Sequence, residues 1–128
     1  MLATTPDYRG ALRDLGPEAI TGADVLSAAE RGDALATRVV DDAICFWGMA
    51  AANLVSLFNP EVIVFGGGVF GPAARYLDRI REEALRWAQP IAVRETAFVA
   101  SSLGADAGLY GAARLAMLAT RSSPAGVA

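Results

Sequence analysis

The 128-residue chain contains no histidine and a single cysteine. These two scarcities exclude much chemistry. An intrachain disulfide is impossible, and a serine–histidine or cysteine–histidine nucleophile has no imidazole to work with. No protein zinc site is expected, because such sites draw on several Cys and His ligands and only Cys45 is on offer. Cys45 lies among apolar residues of an expected helix and reads as a small packed thiol. Long apolar runs are missing too. Although 54% of the residues are hydrophobic, much of this is alanine, and the longest run falls well short of the roughly 20 residues of a membrane span. The first residues lack the basic and apolar regions of a signal peptide, so a cytoplasmic location is expected. Acids and bases are interspersed, with a net charge of −3. Without a basic face or an evident helix-turn-helix, neither nucleic-acid binding by this chain itself nor a membrane partner is expected.

What the chain does have is glycine in one telling place. In Asn59-Pro-Glu-Val-Ile-Val-Phe-Gly-Gly-Gly-Val-Phe-Gly71, a β-branched apolar run reads as a short buried strand ended by three glycines. Pro72 suits the first turn of a following helix. Such a bend leaves backbone N–H groups bare, and no Cβ holds a flat or anionic ligand away.

The rest of the chain arranges itself around that bend. Residues 1–20 read as a loosely held lead-in, residues 21–120 as the ordered α/β region, and 121–128 as a flexible tail. Thr21 and Asp24 have the spacing of a capping box, opening a helix to about Arg31. Asp33 caps a longer helix to about Phe58, whose Val40, Ile44, Trp47, Ala51, Leu54, Val55 and Phe58 form an apolar stripe. A strand at about 61–65 follows. A helix from Pro72 to about Ala88 places Tyr76 or Leu77, Ile80, Ala84 and Trp87 on one side, and Gln89-Pro90 breaks it. A second strand at 97–100 and a helix from about Asp106 to Ala119 complete the order α-α-β-α-β-α. Strands joined by a helix should pair in parallel. Two strands leave apolar edges unpaired, so further strands from a partner chain, a homo-oligomer, or a longer protein are expected.

Gly66, Gly68 and Gly71 also fit the Gly-x-Gly-x-x-Gly spacing of a dinucleotide-binding (Rossmann) turn. Against this, some 60 residues precede the motif, and the next strand ends in Ser101-Ser102 without a ribose-binding acid. A purely structural turn is a further alternative. The remaining acids suggest no catalysis: Asp41-Asp42 and Glu82-Glu83 are adjacent pairs whose side chains diverge around a helix, which suits solvated faces. Trp47 and Trp87 fall on apolar helix faces and read as core.

The segment Asn53 to Val69 resembles the second-domain signature of the ROK family (repressor, open reading frame, kinase). Ser102 to Ala113 resembles that family's C-terminal helix motif, and Ala29-Glu-Arg-Gly-Asp33 is also typical of it. The resemblance covers about Ile20 to Met117. It implies an α/β chain that is part of the second domain of an actin/hexokinase-like (ribonuclease H-like) fold, with ATP and Mg in an interdomain cleft and a hexose as phosphoryl acceptor. It places Gly66, Gly67, Gly68 and Val69 on the adenosine side of the nucleotide site, with Gly104 approaching the same cleft. Asp106 is most simply a helix cap. The family's Asp-x-Gly phosphate motif, catalytic Asp, phosphate loop, zinc cluster and sugar-contacting Glu find no counterpart in these residues. The resemblance thus implies the nucleotide-side portion of a sugar kinase, inactive alone, or the sugar-sensing portion of a ROK transcriptional repressor.

Overall fold

A computed structural model describes residues 8–122; residues 1–7, where the lead-in begins, and 123–128 of the expected tail lie outside them. The capping box forms as expected. Thr21 N–H donates to Asp24 Oδ2 at 2.9 Å and Asp24 N–H to Thr21 Oγ1 at 3.3 Å, and helix α1 spans Gly22–Glu30. Gly32, at φ +84°, turns the chain. Asp33 then caps α2, Ala34–Phe58, by accepting from the Ala36 N–H at 2.9 Å. The same carboxylate accepts from the Tyr8 hydroxyl and the Ala11 N–H. It thereby ties residues 8–12 to the start of α2, and Leu12 is buried beside Ala28 and Ala36.

Helix α2 is the spine of the molecule, packing against α1 and, after the sheet, against α3. By length and composition alone it could cross a membrane, but its apolar stripe is spent on these two helices. The buried residues are Ala36, Val40, Ile44, Gly48, Ala51, Ala52 and Val55. The expected stripe is corrected at its far end, where Leu54 and Phe58 are exposed. Small Ala52 and Gly48 replace them on the inner side because α3 and the sheet approach closely there. A Cβ on Gly48 would lie 2.6 Å from Glu83 Cβ, so only glycine fits that crossing.

Asn59, in the left-handed conformation at φ 44°, ends α2, and strand β1 runs Val62–Phe65. The expected single helix from Pro72 is instead a 3-10 turn, Pro72–Tyr76, followed by α3, Leu77–Ala84. Gln89-Pro90 both breaks and begins a helix: Pro90 takes the first position of the short α4, Pro90–Glu95, which the Gln89 side chain caps at the Ala92 N–H. A proline there loses no hydrogen bond, which makes the same residue a stop and a start. Strand β2, Ala97–Ala100, pairs in parallel with β1, setting Val62 beside Ala97 and Phe65 beside Ala100. The buried Thr96 hydroxyl lies 2.9 Å from the Pro60 and Ala92 carbonyls, fastening the entrances of both strands. A 3-10 turn, Gly104–Asp106, leads into α5, Ala107–Ser122.

The architecture is α/β, with the helical layer on one face of the sheet. Ile63 joins Ala51, Ala52, Val55, Ala84 and Val93 in one cluster, and Leu26, Val40, Ile44, Ala73 and Ile80 form a second; Phe65 and Phe98 pack on both. Burying each such large side chain contributes roughly 1.5–3 kcal/mol. Trp87 is a further correction. It is 56% exposed, with its indole N–H donating to Glu83 Oε1 at 2.9 Å.

Candidate functional site

The site builds outward from the end of β1. Gly66 stands so near the end of β2 that a Cβ would lie 3.2 Å from Ser101 Cβ. Gly67 adopts φ +89°, a conformation that side chains disfavour. These two glycines have internal reasons. Gly68 has neither: its φ is not in the left-handed range, and a Cβ there would meet nothing within 4 Å. A purely structural turn explains the first two glycines and leaves the third unexplained. The chain then folds into a 3-10 turn, Gly68–Phe70, which packs against the turn Gly104–Asp106. Gly66, Gly67, Gly68, Val69 and Gly104 are thus brought together from two separated stretches. Gly104 itself sits at φ +54° with open space about it. Asp106 is exposed at the end of its turn.

Beside the glycines, Val69 closes an apolar hollow of about 150 Å³. Helix α1 contributes Gly22, Val25 and Leu26 to it, and α2 contributes Val39, Val40, Ala43 and Trp47. The turn is clamped from beneath by aromatic rings. Trp47 packs on Phe70 and Phe70 on Phe65, each at 5.0 Å between centroids, and Phe65 stacks on Phe98 at 5.7 Å. Offset contacts of this kind add to the area buried and fix orientation. Sequence reasoning placed Trp47 in the core and did not connect it, or the α1 residues, with the glycines. The only available signal was Phe70, a large apolar residue inside an otherwise bare bend.

A second hollow, of about 260 Å³, lies between α2 and α3 and is polar. The expectation of a solvated Glu83 is corrected there. Its side chain is only 14% exposed and accepts from the Trp87 indole and from Arg86 at 2.9 Å, and from the Cys45 thiol at 3.6 Å. The Trp87 hydrogen bond, aided by Arg86, holds the Glu83 carboxyl below its ordinary range, while burial pushes the Cys45 thiol up. A raised thiol next to a carboxylate is a poor nucleophile. Asp41, exposed as expected, pairs with Arg79 at 2.8 Å. With the Asp41–Arg79 and Glu83–Arg86 pairs in its lining, this hollow is a structural crossing.

The residues at the glycine turn fit the base-and-ribose side of a nucleotide: bare backbone, room at Gly68 and an apolar slot. They do not fit a metal, since among the described residues no three Cys, Asp or Glu side chains cluster to hold one. The turn also differs from a Rossmann one, because two 3-10 turns and not an α-helix follow the glycines directly.

Comparison with known proteins gives the family of the chain. The model of the ROK family matches residues 7–119. The chain is similar to a glucokinase of Halalkalibacterium halodurans, with 40% identity over 92 residues that make up 72% of this chain and 28% of that protein. Among solved structures it is similar to a ROK family glucokinase from Streptomyces griseus in complex with glucose and AMPPNP (34% identity, TM-score 0.67, 80% of this chain and 33% of that one). It is also similar to a ROK family transcriptional regulator, a homolog of the Escherichia coli MLC protein (26% identity, TM-score 0.61, 71% and 22%). The chain therefore spans about a third or less of the length of these proteins.

Proposed function

Because this chain belongs to the ROK family, we propose that it is the nucleotide-side portion of a sugar kinase with an actin/hexokinase-like fold. When complete, the protein would transfer the γ-phosphoryl group of ATP to a hexose in the cytoplasm. Gly66, Gly67 and Gly68 take the adenosine against bare backbone, Val69 borders the base, and Gly104 closes the opposite side. The observation that carries this reading is Gly68, whose missing side chain leaves space that nothing among the described residues fills. The similarity to glucokinases, one of them bound to glucose and AMPPNP, supports the substrate classes.

Phosphoryl transfer depends on a positioned base and on charge stabilisation around the γ-phosphate. The described residues supply neither at this turn, so Mg and the phosphates would be held by groups outside them, and the 128 residues alone should not turn over. The regulator similarity keeps a sugar-sensing role as the second reading; it would share the fold without requiring nucleotide. Gly68→Val separates the two. The fold tolerates a side chain there, so the thermal midpoint should hold while AMPPNP binding, measured by calorimetry, disappears. Unchanged binding in this variant would defeat the reading, as would hexose phosphorylation by the chain alone.

A further inference from the structure

The apolar hollow beside Val69 has a property that bears on which nucleotides it accepts. The side chains lining it are Val25, Leu26, Val39, Val40, Ala43 and Val69, with Trp47 at one wall. Among the described residues of this lining, none carries a carboxylate, amide or hydroxyl. The Trp47 indole N–H is the single side-chain hydrogen-bonding group, and its ring is fixed by its packing on Phe70.

We propose that this slot holds a purine by shape and apolar contact, so that it discriminates only weakly between adenine and guanine nucleoside triphosphates. The inference rests on the nucleotide reading of the same site. Adenine and guanine differ in the donor and acceptor pattern of one edge. A site that reads such an edge with paired polar groups rejects the wrong partner by about 10⁴–10⁵-fold, because its own groups are left unpaired. A wall of methyl groups has nothing to leave unpaired. Its discrimination is limited to differences in fit and desolvation, on the order of a hundredfold at most. The base itself still matters, since removing it forfeits the apolar contact with Val69 and the α1 and α2 walls.

The test is an NMR titration of the 128-residue chain with AMPPNP, GMPPNP and inorganic tripolyphosphate. The expected result is two nucleotide dissociation constants within about a hundredfold of each other, with tripolyphosphate at least tenfold weaker than either. A preference of about a thousandfold or more for either base would overturn the proposal by revealing edge recognition. Tripolyphosphate binding as well as the nucleotides would overturn it by showing that the base lies elsewhere. No binding by any of the three would instead defeat the nucleotide reading beneath it. Ala43→Phe fills the slot from the half-buried side of α2. It should weaken both nucleotides more than tenfold and by equal factors, in a variant whose folding is checked by its thermal midpoint; an effect on one nucleotide only would contradict the shape-based account.

Discussion

The two faces of the small sheet are built from nearly the same residues and have opposite fates. On one, Ile63 is 9% exposed and Phe65 and Phe98 are packed under α2 and α3. On the other, Val62, Val64 and Val99 stand open, with Val64 60% exposed. Parallel sheets in α/β proteins are normally covered on both faces, and their strands read as continuous apolar runs for that reason. The run Val62–Phe65 therefore carries information about a layer that the described residues do not contain. Helix α5 repeats the lesson. Leu109, Tyr110, Leu115 and Met117 are all exposed, Leu109 at 70%, though a helix with this many large apolar side chains is built to be covered. The glycine turn lies between the two regimes, clamped from the closed side by Phe70 and Trp47 and bare on the open side at Gly68.

That contrast can be broken by substitution. The largest effect is expected at Ile63→Ala, which should cost about 2–4 kcal/mol in chemical denaturation through lost burial and the cavity left behind; a cost under 1 kcal/mol would mean the closed face is loosely packed. Gly48→Ala should cost about 1–3 kcal/mol, because the new methyl must push α3 away at Glu83. Asp33→Ala should cost about 1–2 kcal/mol by removing the cap of α2. Hydrogen bonds from the Ala36 N–H first, and then from the Tyr8 hydroxyl, hold the Asp33 carboxyl below its ordinary value. A lowered carboxylate pKa contributes stability above the unfolded-state value and loses it as pH falls through the folded-state value. Asp33 should therefore add nothing to pH dependence near neutrality and make stability fall below about pH 4. In Asp33→Asn that acid limb should be shallower, and an unchanged acid limb would dismiss the role. The smallest effect is expected at Val64→Ala, within about 0.5 kcal/mol for the chain alone. A cost as large as at Ile63 would show that the open face is already covered, for instance by a second copy.

Much of this was legible in the sequence, where local chemistry and tertiary packing agree. The Thr21–Asp24 box, the Asp33 cap, the strand before the glycines and the parallel pairing all follow from spacing and propensity. The departures arise where a residue serves two neighbours at once. Leu54 and Phe58 sit on the apolar stripe of α2 yet stay exposed, and Trp87 falls beyond α3, which ends at Ala84. Pro90 reads as a breaker and is also a first helical residue. Glu83 reads as a solvated acid because its burial and its Cys45 contact come only through the α2–α3 crossing at Gly48, while Arg86 and Trp87 reach it locally. In the site, the glycines were legible as a run that ends an apolar strand, although the local backbone requires only Gly66 and Gly67. The slot beside them was not, since its walls are valines and alanine that no local rule distinguishes from core.

The account stands or falls on where a nucleotide touches the chain. Backbone and indole NMR shifts of the 128-residue chain on titration with AMPPNP test this most directly. The prediction is a cluster of perturbed signals at Gly66–Val69, Gly104 and the Trp47 indole, with the polar hollow around Glu83 unmoved. Perturbations centred on Cys45, Arg79 and Glu83, or none at all, would contradict it.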